Sequence, residues 1–418
     1  MDWLANGLQN AITDILGASD AFDCAIYHLT DNRWIIPAFT AFEGRGSIIY
    51  FDKADDSKSR TAAHLIADER PNISIHKRDA ITKLMHDKFI VSYQRKHEQS
   101  VLMGSTNFTP EAQTIQANLL HIIQSAQLAA LYAERATLLA NNVRKSDMDP
   151  PDWQTVTDLG DIKLRVFFLP EPGTSRTFLD TVTQAVKDAT SSVLFCMFTA
   201  SDEDLMNAIF AKGDSPSHLI YGLLNSIDDP DKPTKSGETR KLPKIASTIY
   251  HRSQDNPDTL PYSAFGAAAP RGFLPELRTI DTSAYDVSVK KGKAKAAKRS
   301  PPPIHVHHKF IVIDGDTDEP TIYTGSPNFS RASENSNDEN VLEIKGNTRL
   351  AQAYVAEFMR LYNHYRARAI WNKTHEKTGR AQAEEERDAL VLKTTRDEWV
   401  KQAYKDGTKA SLARERGL

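Results

Sequence analysis

Apolar and polar residues along this chain form two blocks that repeat one pattern. "FDCAIYHL" (22–29) and "SVLFCMFT" (192–199) are apolar runs of strand length, and each precedes a turn with an aspartate, Asp31 or Asp202, and then apolar residues at helical spacing. Further along, each block has two β-branched apolar runs and an amphipathic helical stretch. The order strand, helix, strand, strand, helix occurs twice, which indicates an internal duplication and an α/β fold.

Polar and low-complexity segments divide the chain around this duplication. A polar stretch with a Pro-Pro pair separates the two blocks, and a long segment rich in Pro, Lys and Asp has no counterpart in the first block. We therefore predict a first lobe at 1–145, a linker at 146–161, a second lobe at 162–372 with an insertion at 226–303, and a charged helical tail at 373–418.

The first residues of the chain carry apolar side chains at helical spacing. These are Leu4, Leu8, Ile12, Ile15 and Leu16. The spacing predicts a helix whose apolar side faces the core, and the alternative is a helix that lies on a membrane surface. No run of about 18 apolar residues is present, so we predict no transmembrane segment.

The two β-branched apolar runs of each block carry the same polar residues. "HDKFIVSY" and "VLMGSTNF" in the first block match "HHKFIVID" and "IYTGSPNF" in the second. Five residue types recur at identical spacing: His86, Lys88, Gly104, Ser105 and Asn107 in the first block, and His307, Lys309, Gly325, Ser326 and Asn328 in the second. Because side chains two apart on a strand share a face, each block brings imidazole, ammonium, hydroxyl and carboxamide groups together.

This set of groups fits a phosphate diester. Lysine, serine and asparagine supply hydrogen-bond donors for the non-bridging oxygens. Two imidazoles can divide the work, one neutral and nucleophilic at phosphorus and the other protonated beside the leaving oxygen. That chemistry requires no metal and no cofactor, and we predict none. His305 and His307 would share a strand face, but no cysteine or carboxylate nearby completes a tetrahedral zinc site.

Composition and charge bear on the binding partners and the cellular compartment. The net charge is -3, so no general basic field attracts nucleic acid or an anionic membrane. A local basic run at 290–299 precedes the second motif, and its Lys290 and Lys291 are candidate substrate-binding residues. The two cysteines stand in apolar runs and the N-terminus lacks the features of a secretion signal, which favours a reducing, cytoplasmic compartment.

The duplicated His-x-Lys and Gly-Ser-x-Asn motifs resemble those of the phospholipase D superfamily. The resemblance covers roughly 20–145 and 160–370. It implies two similar lobes, each a mixed β-sheet flanked by helices, that face each other across a pseudo-twofold axis with the site between them. It also implies a covalent phosphohistidine intermediate. The second half matches the family motif in full, including Asp314 and, in "NDEN", Glu339.

The first half departs from the family motif. Tyr93 stands where the aspartate is expected, and Gln116 and Asn118 stand where the second half has Glu339 and Asn340. The tyrosyl-DNA phosphodiesterases of this family also lack that aspartate. By that resemblance Glu339 holds His86 as the nucleophile, and Gln116 or Asn118 holds His307 as the general acid.

Three functions follow from these motifs. The favoured one is a metal-independent phosphodiesterase that acts on nucleic acid. The second is a phospholipase D or phosphatidyl transferase that acts on phospholipid. The third is a binding module whose degenerate first half only holds phosphate. Since both half-sites belong to one chain, we expect a monomer.

Overall fold

The computed structural model describes residues 7–52, 57–79, 82–148, 151–198, 201–213, 215, 217–224, 248–251, 306–376, 400 and 404–417. They form two mixed β-sheets with helices packed on them, which confirms the α/β class. In the described part of the chain, no helix is long and apolar enough to cross a bilayer.

The first sheet has the strand order β3-β2-β1-β5-β6-β7. Strands β1, β2 and β3 run parallel, whereas β5, β6 and β7 pair antiparallel. The elements of this lobe are α1 (Leu8–Gly17), β1 (Ala21–Ile26), α2 (Ile35–Ala41), β2 (Arg45–Phe51), α3 (Ser57–Glu69), β3 (Ile73–Arg78), β4 (Leu84–Met85), β5 (Lys88–Gln94), β6 (His97–Gly104), α4 (Pro110–Thr114), β7 (Leu120–Gln124) and α5 (Ala126–Ala140).

The second sheet has the strand order β12-β11-β10-β13-β14-β15-β9-β8. Its elements are β8 (Gln154–Val156), β9 (Lys163–Leu169), α6 (Thr177–Asp188), β10 (Ser192–Met197), α7 (Glu203–Gly213), β11 (Leu219–Leu224), β12 (Thr248–His251), β13 (Lys309–Ile313), β14 (Thr321–Gly325), α8 (Arg331–Ser336), β15 (Asn337–Lys345), α9 (Thr348–Glu376) and α10 (Lys409–Glu415). The first six strands of this order, β12-β11-β10-β13-β14-β15, repeat the arrangement of the six strands of the first sheet.

The register of the strands shows that the two lobes are copies of one plan. Ile26 lies opposite Lys88 in the first sheet, and Met197 lies opposite Lys309 in the second. Each His-x-Lys strand, β5 or β13, therefore pairs with the central strand of its lobe, β1 or β10. The prediction of two similar lobes is confirmed.

Two predicted boundaries differ from the structure. The predicted linker 146–161 contains β8, which pairs with β9 at the edge of the second sheet. Only Val156 of β8 is buried, so this edge strand leaves a weak apolar signal in the sequence. The predicted insertion 226–303 contains β12, which is parallel to β11 and holds the place that β3 holds in the first lobe. The basic run 290–299 lies outside the described residues.

A shared core lies between the two lobes. Apolar residues of β5, α5, β10, β13 and α9 belong to one buried cluster, and separate clusters fill the outer faces of the two sheets. In α1, Ile12, Ile15 and Leu16 are buried against β1 and α2, so the N-terminal helix faces the core as predicted. The inner edge of this shared core is where the motif residues meet.

Candidate active site

Each histidine lies where the backbone of one lobe pairs with the other. The His86 N–H donates to the Asp338 carbonyl (2.8 Å), and the His307 N–H donates to the Ala117 carbonyl (2.9 Å). Strand β4 is parallel to the start of β15, and Val306 bridges to Ala117 in the same sense. Because the acceptor is followed by Glu339 in one case and Asn118 in the other, each histidine reaches a side chain of the opposite lobe.

The two histidines have chemically different partners. His86 Nδ1 lies 2.7 Å from Glu339 Oε2, and His307 Nδ1 lies 2.7 Å from Asn118 Oδ1. The carboxylate stabilises positive charge on the first ring, whereas the amide orients the second ring and carries no charge of its own. Of the two amides left open by the sequence, Asn118 is hydrogen-bonded to His307 Nδ1, and Gln116 Oε1 accepts a 3.4 Å hydrogen bond from Asn118 Nδ2.

The orientation of the Asn118 amide follows from its other contacts. Its Nδ2 donates to the Ala112 carbonyl (3.1 Å), and its Oδ1 also accepts from Ser105 Oγ (3.0 Å). The oxygen therefore faces His307, whose Nδ1 must carry hydrogen. Glu339 likewise accepts from His86 Nδ1. Both rings then have Nε2 available toward the shared site.

Glu339 is held by more than the histidine. Asn337 Nδ2 donates to Glu339 Oε1 (3.1 Å), and Ser326 also donates to this carboxylate. Asn337 is a site residue that our reading of the sequence did not identify. Its position two residues before Glu339 on β15, on the same strand face, was the available signal.

The two lysines are buried and point back along their own strands. Lys88 Nζ donates to the His86 carbonyl (2.6 Å), and Lys309 Nζ donates to the His307 carbonyl (2.9 Å). Burial lowers the pKa of Lys88 from 10.5 to about 7. Burial also lowers the pKa of Lys309 well below its usual range, with the charge of Lys88 as the next cause. The ammonium groups of the two lobes are thus near enough to repel each other.

The pKa values of His86 and Glu339 also show that charged groups of both lobes lie close together. Burial lowers the pKa of His86, and the positive charges of Lys88 and Lys309 lower it further. Burial raises the pKa of Glu339 to about 7. Because Lys309 belongs to the second lobe, its effect on His86 places both half-sites around one volume.

The serines and asparagines complete each half-site. Ser105 Oγ accepts from the Leu119 N–H (3.1 Å), and Ser326 Oγ accepts from the Asn340 N–H (3.0 Å). The amide oxygens of Asn107 and Asn328 are buried, and among the described residues neither oxygen has a hydrogen-bond partner. The glycines before the serines allow this packing. A Cβ on Gly325 would lie 2.2 Å from the Asn340 carbonyl oxygen.

Strand pairing corrects the alignment of the two halves. Gly104 lies opposite Leu120, and Gly325 lies opposite Val341. Asn118 is therefore equivalent to Glu339, and Gln116 is equivalent to Asn337. The alignment of Gln116 with Glu339 in the sequence was wrong by two residues, because the short β7 carries too little pattern to fix its register.

Two aromatic residues also border the site. The Tyr27 ring lies 5.0 Å from the His86 ring, and the Phe198 ring lies 5.1 Å from the His307 ring. Each follows the central strand of its lobe at the same position. We did not identify them from the sequence, although the alignment of "CAIYHL" with "FCMFTA" pairs them.

Of the other predicted site residues, Asp314 lies away from this group. Asp314 follows the far end of β13, and its carboxylate accepts from the N–H groups of residues 190–192. At about 3.3 Å per residue, it lies roughly 16 Å along the strand from Lys309. Asp314 therefore braces the fold rather than touching the reacting group. Lys290 and Lys291 lie outside the described residues. In the described part of the chain, no group of three or more His, Cys, Asp or Glu is arranged to hold a metal.

Several solved structures are similar to this chain. The phosphatidylserine synthase from Haemophilus influenzae Rd KW20 is similar in structure, with a TM-score of 0.50 and 11% identity over 86% of this chain and 85% of that chain. The yeast tyrosyl-DNA phosphodiesterase has a TM-score of 0.38 and 10% identity over 77% of this chain and 82% of that chain. The polyphosphate kinase from Porphyromonas gingivalis has a TM-score of 0.45 and 11% identity, and 81% of this chain spans 46% of its length. At these identities the phosphatidylserine synthase likeness shows the fold alone.

The family match rests on the sequence. A search of curated proteins found no match. The family model described as cardiolipin synthase, PLD-like domain matches residues 11–137 and 182–362, which together are more than half of the chain and contain both motif pairs. With two equivalent lobes and paired His, Lys, Ser and Asn side chains between them, the chain belongs to the phospholipase D superfamily.

Proposed function

We propose that this protein is a metal-independent phosphodiesterase that works through a covalent phosphohistidine on His86. The observation that carries the proposal is the unequal pairing of the two rings. His86 lies against the carboxylate of Glu339, and His307 lies against the amide of Asn118. A carboxylate partner favours the nucleophile, and an amide partner suits a ring that gives up its proton.

The first step joins the phosphoryl group to His86. The lone pair of His86 Nε2 attacks phosphorus and forms an N–P bond, while the bond from phosphorus to the leaving oxygen breaks. His307 Nε2–H gives its proton to that oxygen. Glu339 stabilises the positive charge that develops on the His86 ring.

The second step releases the product. Water attacks phosphorus and the N–P bond breaks, which returns the electron pair to His86. His307, now neutral, takes the proton from the water and regains the state in which it began. Lys88, Lys309, Asn107 and Asn328 donate to the non-bridging oxygens in both steps, which stabilises the charge that accumulates there.

We propose nucleic acid as the substrate and the cytoplasm as the compartment. The support is the basic run before the second motif, which suits a phosphate backbone, together with two buried free cysteines. A monomer suffices, since one chain supplies both half-sites. The second candidate is phospholipid hydrolysis or phosphatidyl transfer, which the description of the matching family model favours.

Trapping of the intermediate tests the reaction. Purified protein is incubated with a phosphodiester substrate and excess chelator, quenched, and examined by mass spectrometry for a phosphoryl adduct on His86. We expect the adduct to accumulate in His307→Asn, which lacks the base for the second step, and to be absent from His86→Asn. His64→Asn, an exposed position on α3, is the matched control. Tight substrate binding with neither turnover nor adduct would support the binding-module hypothesis instead.

A substrate panel tests the substrate class. Plasmid, single-stranded and duplex oligonucleotides, RNA and mixed phospholipid vesicles are assayed side by side with chelator. We expect cleavage of nucleic acid that depends on His86 and His307. Release or exchange of a phospholipid headgroup without nucleic-acid cleavage would reject the favoured substrate and leave the phosphohistidine mechanism in place.

A further inference from the structure

Tyr27 and Phe198 present their rings to the two lysines of the site. Lys88 Nζ lies 5.2 Å from the centre of the Tyr27 ring, and Lys309 Nζ lies 5.4 Å from the centre of the Phe198 ring. Both distances are within the range in which a cation is attracted to an aromatic face. The rings also lie beside His86 and His307, so each lobe presents the same trio of imidazole, ammonium and aromatic ring.

The duplication indicates which task the rings serve. The partners of the histidines differ between the halves, because one half-site is completed by Glu339 and the other by Asn118. The aromatic residues do not differ in kind. An aromatic ring that is present in both halves should serve a task that both halves share. In the proposed function, that task is to hold a lysine that binds phosphate oxygens.

The lysines need such support before the substrate arrives. Lys88 and Lys309 are at most 1% exposed. The titratable groups that face Lys88 are Glu339, Asp87, Lys309 and His86. Those that face Lys309 are Lys88, Glu339, His86, His308 and the thiol of Cys196. Glu339 is therefore the carboxylate that faces both ammonium groups, and the two ammonium groups repel each other.

We propose that Tyr27 and Phe198 are positioning residues that keep Lys88 and Lys309 protonated in the empty site through their ring faces. The inference rests on the proposed function in taking a phosphodiester as the ligand. It does not require turnover. Each ring acts through its lysine, so removal of the ring should cost phosphate affinity mainly at the alkaline side of the pH profile.

The test measures binding of dimethyl phosphate, a diester whose single charge is constant over the titration. Its affinity for the full-length protein is followed by ³¹P NMR as pH is raised. We expect the alkaline midpoint to fall by about one pH unit in Tyr27→Leu and in Phe198→Leu. Tyr27→Phe and Phe198→Tyr should keep the wild-type midpoint. Phe42→Leu, which removes a ring packed edge-on against Phe22, is the control.

Two further variants separate this role from packing. Pentafluorophenylalanine at position 198 keeps the ring shape and reverses its quadrupole, so it should lower the midpoint although the fold is retained. In a Lys88→Met background, Tyr27→Leu should have no further effect. The inference is overturned by an unchanged midpoint in the fluorinated variant, by a Tyr27 effect that persists without Lys88, or by failure of the wild type to bind dimethyl phosphate. A protein that binds without cleaving would reject the proposed function and leave this inference standing.

Discussion

The residue that distinguishes the two half-sites is the partner of each histidine. Glu339 and Asn118 hold equivalent positions, yet one is a carboxylate and the other an amide. The same backbone plan therefore presents a ring beside a carboxylate on one side and a ring beside an amide on the other. The buried lysines add positive charge that destabilises a protonated His86. Burial of the ring lowers the pKa of His86 most, and together with the lysine charges it favours the neutral ring that the proposed nucleophile requires, against the opposite effect of the Glu339 carboxylate.

The pH dependence of the reaction should follow Glu339 and Lys88. Burial raises the pKa of Glu339 to about 7 and lowers that of Lys88 to about 7. Below this pH, protonated Glu339 donates to His86 Nδ1, which puts the ring hydrogen on Nε2 and blocks attack. Above it, Lys88 loses the proton that binds phosphate. We expect kcat/KM to peak near pH 7 with a decline on both sides.

The variant Glu339→Gln checks the acid limb of this profile. Without a titrating carboxylate, the decline toward low pH should disappear, and kcat/KM at the optimum should fall about 10–100-fold because the ring loses its charged partner. A steady-state profile of both proteins gives the comparison. An acid limb that survives in Glu339→Gln would assign that limb to another group.

Lys88 should reduce stability in exchange for phosphate binding. Its folded pKa of about 7 is below its usual 10.5, so between these values the unfolded chain holds a proton that the folded one lacks. The free energy of unfolding then rises with pH across this window. Below about pH 7, the buried charge of Lys88 lowers the free energy of unfolding by its full amount. We expect Lys88→Met to abolish turnover and to raise the free energy of unfolding at pH 6 by about 1–4 kcal/mol.

Urea unfolding at pH 6 and pH 10 checks the effect of Lys88. The gain from Lys88→Met should shrink at the higher pH. Lys345→Met, at a half-exposed surface pair with Glu343, is the control and should change stability by less than about 1 kcal/mol. A Lys88→Met protein less stable than wild type at pH 6 would contradict this account.

At the scale of single elements, the ends of β13 have different tasks. His307 and Lys309 lie at its start, beside the other lobe, and Asp314 follows its end. The Asp314 carboxylate accepts from Thr190, Ser191 and Ser192 N–H groups at 2.7–3.0 Å and fixes β13 to the start of β10. In the first lobe, Tyr93 has the equivalent position and donates to Asp23 on β1. A Tyr93–Asp23 hydrogen bond thus joins β5 to β1 in the first lobe, where Asp314 joins β13 to β10 in the second. The first lobe therefore keeps this connection between strands without the aspartate.

The variant Asp314→Asn separates bracing from catalysis. An amide retains one acceptor oxygen and turns an NH₂ group toward backbone N–H groups. We expect a loss of about 1–3 kcal/mol in the free energy of unfolding, with kcat/KM of the folded protein within about twofold of wild type. Chemical denaturation and an assay well below the melting temperature give both values. Full stability combined with lost activity would return Asp314 to the chemistry.

At the scale of the whole molecule, a buried charge network joins the lobes beside the site. Asp338 on β15 is fully buried and accepts from Arg78 of β3 (3.0 Å) and Arg135 of α5 (3.2 Å). Asp87, next to His86, accepts from Asn340 Nδ2 (2.6 Å). The residues on either side of Glu339 thus bind the first lobe, which fixes the distance between Glu339 and His86.

Removal of the central charge should weaken the whole structure. Asp338→Asn removes the carboxylate that the buried Arg78 and Arg135 share, although Arg135 keeps its 3.5 Å ion pair with Asp87. We therefore expect a loss of about 3–5 kcal/mol in the free energy of unfolding. Asp52→Asn breaks the more exposed ion pair with Arg60 and should cost about 1 kcal/mol or less. Urea unfolding followed by far-UV circular dichroism compares the two. Equal, small losses would show that the network contributes little to stability.

The sequence by itself determined the duplication, the α/β class and most of the site. His86, Lys88, Ser105, Asn107 and their counterparts were found because identical spacing recurs on strongly apolar strands, whose alternation fixes the face of each side chain. Where the local pattern is weak, prediction failed. The short strand β7 left the alignment of Gln116 and Asn118 with the second half wrong, and β8 lies inside the predicted linker, since a few residues cannot define a register.

Only the tertiary structure decided which side chains complete each half-site. The pairing of His86 with Glu339 across 253 residues, and that of His307 with Asn118, depend on how the lobes face each other. A resemblance had implied the partner of His86, but the residue pattern could not choose between Gln116 and Asn118 for His307. The physical reason is that periodicity in the sequence indicates only which face of one strand a side chain occupies. Hydrogen bonds and charge interactions between the lobes depend on distances between residues far apart in the sequence, which only the folded chain sets.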